Sequence, residues 1–125
     1  MAERARFDFD DIHFTGSFLA PPEWRGEEMV VAARSFILCG DHPLADERRL
    51  RSGLLVFGGV ARSTRTIHEY GGDESRPPYS VEDGGSGADG GDLTDYRFGG
   101  VLELPPAWIE WTILARSFEL ELAQE

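Results

Sequence analysis

The sequence predicts a mainly β protein, an antiparallel sandwich or partly open barrel of about six to eight strands with at most one short helix. Three observations lead there. Short apolar stretches alternate with polar residues at a period of two, as in Phe118-Glu119-Leu120-Glu121-Leu122. Turn formers punctuate them, with 15 Gly and 7 Pro in 125 residues. Two similar stretches of chain also keep their apolar pattern only if both are extended.

Those stretches suggest an internal repeat. Asp11-Ile12-His13-Phe14-Thr15-Gly16 resembles Asp95-Tyr96-Arg97-Phe98-Gly99-Gly100, and Pro21-Pro22-Glu23-Trp24 resembles Pro105-Pro106-Ala107-Trp108. Ala33-Arg34-Ser35-Phe36 then recurs as Ala115-Arg116-Ser117-Phe118, with two residues fewer between it and the Trp. Two residues turn a helix by about 200° and would move the element to the opposite face. In a strand they restore the same face. Each copy is therefore expected as strand, Pro-Pro corner, strand, even though Trp108, Trp111, Ala115, Phe118 and Leu122 also fit helical spacing. Apolar parity slips near Arg34 and Arg116, where a β-bulge is expected.

The other elements follow in chain order. Arg6 to Asp10 and His13 to Leu19 alternate and read as short strands. His42 to Arg51 reads as the one helix, with Asp41 as its N-cap. Leu54 to Phe57 and Thr64 to Tyr70 read as strands, and the Gly pairs 58–59 and 99–100 mark bulges or close strand approach. Residues 71–95 read as a long acidic, Gly-rich loop inserted into a single domain spanning 1–125.

The net charge of −11 is unevenly spread. Residues 71–95 carry −6, whereas residues 1–70 carry −2 and residues 96–125 carry −3. All 12 basic residues are Arg, and five of them fall between Arg48 and Arg65 with no acid among them. Overall acidity argues against nucleic-acid binding, which needs a basic face. The stretch Met29 to Gly40 is too short to span a bilayer, and Met1 to Asp10 is charged without a signal-peptide apolar region. A cytoplasmic location without membrane association is the expectation. Cys39, the single cysteine, allows no intramolecular disulfide or cysteine metal cluster and reads as a small buried hydrophobe.

Candidate chemistry is sparse. Asp11 and His13 would share a strand face, as two ligands to one metal do, but no second His-containing cluster accompanies them. His42 precedes Pro43 at the expected helix entry. His68 and Glu69, adjacent on a strand, would point to opposite faces. Gly84-Gly85-Ser86-Gly87 lacks the Lys and helix of a phosphate loop, and with Ala88-Asp89 it opens a calcium nonapeptide that is not continued. No cofactor and no metal site is expected. Trp24, Trp108 and Trp111 read as core, Trp24 and Trp108 plugging its two ends.

These readings favour a non-catalytic acidic interaction protein, an inhibitor that blocks a basic protein partner such as a bacterial toxin or nuclease. In size, acidity and lack of a catalytic motif the chain is similar to immunity proteins of bacterial toxin systems. That likeness is compositional, with no motif residue to carry across. The contact set would be Glu23, Glu27, Glu28, Asp73, Glu74, Glu82, Asp83, Asp89, Asp92 and Asp95, with steering by charge. The alternative is a small β-domain that binds a ligand in a cleft of Trp24, Trp108 and Trp111, or assembles through them. An enzyme relying on Asp11, His13, His42 or His68 ranks third.

Overall fold

Extended chain and turns dominate, as the alternation requires. The structure, a computed structural model, describes residues 3–5, 8–14, 16–40, 46–69, 77–83, 92–102 and 106–123. Its strands are β1 (Glu3–Ala5), β2 (Ile12–His13), β3 (Phe18–Leu19), β4 (Glu23–Arg25), β5 (Glu28–Leu38), β6 (Asp46–Gly58), β7 (Arg62–Glu69), β8 (Tyr79–Glu82), β9 (Thr94–Leu102), β10 (Ala107–Ala115) and β11 (Ser117–Leu122). They form one open sheet in the order β1-β11-β6-β5-β3-β9-β10-β7-β8, with β2 and β4 also on β5. Among the described residues every pairing is antiparallel except the β3–β9 contact at Phe18 and Val101. A sandwich of two separate sheets is thus replaced by one continuous sheet.

That sheet curls until distant strands face each other across the core. Phe57 of β6 stacks on Phe98 of β9 at 6.1 Å, and Phe118 of β11 meets Tyr96 of β9 at 6.0 Å. Along β10 the alternation is complete: Ala107, Ile109, Trp111, Ile113 and Ala115 are buried, and Trp108, Glu110 and Thr112 are exposed. Each inward row removes apolar surface from water at roughly 25 cal/mol per Å².

Both parity slips have a structural cause. In β5, Met29, Val31 and Ala33 point inward, then Phe36 and Leu38 do, because Ser35 forms a bulge at φ 66°. The Ser17 hydroxyl donates to the Ser35 carbonyl at 3.1 Å and pins this left-handed residue. In the second stretch Arg116 interrupts the chain between β10 and β11, its N–H donating to the Gly58 carbonyl at 2.9 Å. The bulge lets a strand bend while returning its apolar side chains to the core.

Other expectations change. No helix forms over 46–51, which belongs to β6 and pairs with β5 at Asp46 and Arg51; residues 41–45 lie outside the described residues. Pairing with β5 outweighs the local helical pattern. Phe9–Asp11 is a 3-10 turn rather than strand, with the Asp8 carboxylate accepting from the Asp10 N–H at 3.1 Å.

The two similar stretches do not show a repeated unit. Trp24 lies in β4, which reverses through Gly26 into β5, whereas Trp108 is the second residue of β10 and the strand runs straight on. Trp24 and Trp108 do not plug the core, since they are 41% and 43% exposed. Phe9 does: its ring lies 5.0 Å from Tyr96, 5.1 Å from Phe118 and 5.3 Å from Phe98. Close approach explains Gly100, where a Cβ would sit 2.7 Å from Leu19 Cδ1 and 2.8 Å from the Ser17 carbonyl.

Candidate functional site

The most organised polar cluster grows from the register of β7, β8 and β10. Trp111 pairs with Arg65, Arg65 with Val81, and Ile113 with Ser63, so Ser63, Arg65 and Trp111 all point inward. Asp83, immediately after β8, completes the set. Its carboxylate accepts from Arg65 Nε at 2.9 and 3.1 Å and from the Ser63 hydroxyl at 2.9 Å. Arg65 Nη2 adds a contact at 2.7 Å, with the Arg65 and Asp83 side chains only 12% and 3% exposed. Trp111 Nε1 donates to Ser63 Oγ at 2.8 Å, and the Arg65 guanidinium lies 5.3 Å from the Trp111 ring centre. A buried charge held this way has paired and hydrogen-bonded partners on every side.

Trp24 ties this cluster to the surface. Its Nε1 donates to the Asp83 carbonyl at 3.1 Å, joining the β4 hairpin to the end of β8. That hairpin presents Glu23 and Glu27 to solvent, and β8 presents Tyr79 and Glu82. Glu82 Oε2 accepts from Thr64 Oγ1 at 3.1 Å, so its carboxylate is oriented but still exposed.

The proposed acidic contacts therefore divide. Glu23, Glu27, Glu82, Asp92 and Asp95 are exposed, and Glu28 is half-buried. Asp95 accepts from Arg97 at 2.8 and 3.0 Å. Asp83 is withdrawn from the surface into the core cluster. Asp73, Glu74 and Asp89 lie outside the described residues. The segment expected as one loop includes β8 and the start of β9.

The three Trp residues do not share a cleft. Trp111 is buried and stacks on Phe98 at 5.5 Å. Trp108 packs against His68 at 4.9 Å and rims a cleft of about 620 Å³, lined also by Asp10, His13, Phe14, Arg97 and Phe98. His68 Nε2 lies 3.3 Å from Glu110 Oε2 on β10, a partner its sequence neighbour Glu69 did not indicate. Asp11 and His13 sit in the 3-10 turn and β2, and His42 is outside the described residues. Among the described residues no group of three His, Cys, Asp or Glu is placed to hold a metal. Cys39 is half-buried, its N–H donating to the Asp11 carbonyl at 2.8 Å. No helix among the described residues is long and apolar enough to cross a membrane.

Sequence reasoning missed Ser63, Arg65, Tyr79 and Glu110. Their roles depend on which strands are neighbours, and the only local signal was the inward parity of Arg65 with Ile67. Compared with protein-family models, curated proteins and solved structures, the chain matches none.

Proposed function

We propose that this chain is a non-catalytic interaction protein that binds a basic protein partner through an acidic surface carrying exposed aromatic side chains. The observation that carries the reading is the Trp24–Asp83 hydrogen bond. It fixes an exposed indole between a hairpin bearing Glu23 and Glu27 and a strand bearing Tyr79 and Glu82. A large aromatic side chain already held in one position loses little entropy on docking. Surrounding carboxylates favour Arg or Lys on the partner and speed encounter at low salt. Blocking the phosphate-binding face of a toxin or nuclease would use the same complementarity, and a cytoplasmic location belongs to this proposal.

Immobilised protein is expected to retain a basic protein from an extract of the source organism. Retention should weaken steeply as salt rises toward about 1 M, where screening acts within about 3 Å. The Trp24→Ala variant should retain it at least about tenfold less, the loss expected for an anchor residue. Retention indifferent to both salt and Trp24 contradicts the reading. A second reading, a β-domain that binds a ligand, draws on the cleft beside Trp108.

A further inference from the structure

One edge of β9 is partnered along its length, and the other, among the described residues, is largely open. β10 pairs with it from Thr94 to Leu102 in unbroken register. On the opposite edge, among the described residues, β3 pairs with it at Val101 alone. Successive backbone groups along a strand face alternate edges. The Val101 N–H donates to the Ser17 carbonyl at 2.7 Å on the β3 side. The N–H and C=O groups of Asp95, Arg97 and Gly99, at the same parity, therefore face that side too.

A groove runs along this open edge. The 620 Å³ cleft borders Arg97 to Gly100, and a second cavity of about 350 Å³ continues it past Thr94 to Arg97. The two share Phe9, Asp10 and Arg97, so they adjoin. Aromatic rings form the floor, with Phe14 and Phe98 at 5.0 Å. Among the described residues the acidic side chains on the walls are Asp8, Asp10 and Asp95; His13 lines the groove too, and Arg97, the guanidinium there, is already bonded to Asp95.

We infer that this groove receives an extended segment of a basic polypeptide, which pairs with β9 as an added strand. A bare strand edge is a template for main-chain hydrogen bonds. Aromatic floor and acidic rim suit a strand that alternates apolar and basic residues. Only the charge of the occupant rests on the proposed basic partner; the open edge and groove stand on the topology.

The test is amide hydrogen exchange, followed by NMR at low salt, with a synthetic decapeptide of alternating Arg and Val. Saturating peptide should slow exchange at Asp95, Arg97 and Gly99 by at least about tenfold and leave Tyr96 and Phe98, already paired with β10, unchanged. The same peptide N-methylated at alternate amides, and a Glu-Val counterpart, should produce no slowing. The inference is overturned if the Arg-Val peptide does not bind at about 1 mM. Binding without protection at those three amides, or equal binding of the N-methylated form, overturns it as well. Salt-sensitive, Trp24-dependent capture of a basic protein alongside any of these results leaves the proposed function standing and removes this inference alone.

Discussion

Replacing Asp83 with Ala should lower stability by about 3–5 kcal/mol, the usual loss when one partner of a buried ion pair is removed. The Arg65 side chain is 12% exposed and would be left beside Trp111 without its carboxylate. Ser63 Oγ would keep the Trp111 donor but lose its own acceptor. Denaturant unfolding should show a lower midpoint with an unchanged slope. The paired replacement Arg65→Met with Asp83→Leu should lose less than Asp83→Leu alone, since no stranded charge remains. A change below about 1 kcal/mol for Asp83→Ala, the size of an exposed pair, would show that the carboxylate is not buried in solution.

A comparable loss is expected for Trp111→Ala. Trp111 is among the largest fully buried side chains, stacked on Phe98 and bonded to Ser63. Deleting it removes about 3–5 kcal/mol through lost burial and the cavity left behind. Trp111→Phe keeps most of the volume but loses the indole N–H, at about 1 kcal/mol. Trp24→Ala and Trp108→Ala, at positions 41% and 43% exposed, should each destabilise far less. Equal losses at all three would contradict the assignment of Trp111 to the core and the other two to the surface. Denaturation of the three single variants decides it.

Much of the fold was legible because alternation reports directly on a half-buried strand. The rows Ile109-Trp111-Ile113 and Leu120-Leu122 follow from period two, and so do the parity slips at Ser35 and Arg116. Residues 46–51 were not legible as strand. Arg48, Arg49 and Arg51 favour helix as well as strand locally, and Leu50, 61% exposed, gives no inward row. What holds them extended is pairing with β5, which no local pattern encodes. Trp24 and Trp108 match in their sequence neighbours, yet the chain reverses after one and runs on after the other.

The candidate site was legible in part for the same reason. Exposed Glu23, Glu27 and Glu82 are where charge and turn formers suggested. Asp83, one residue further on, is claimed by Arg65 across a strand pairing that only the topology creates. The acidic segment is thus anchored by its own carboxylate. Its charge count overstates the charge it exposes.

Affinity for any basic protein captured in this way, measured against salt concentration, tests the proposed interaction surface most directly. The comparison is wild type with the combined Glu23→Gln, Glu27→Gln and Glu82→Gln variant. Loss of three exposed carboxylates at the interface should weaken binding by at least about tenfold at low salt and flatten the salt dependence. The unfolding midpoint should stay close to wild type, because all three side chains are exposed. Equal affinity and an equal salt slope for the two proteins would contradict the acidic surface as the docking site.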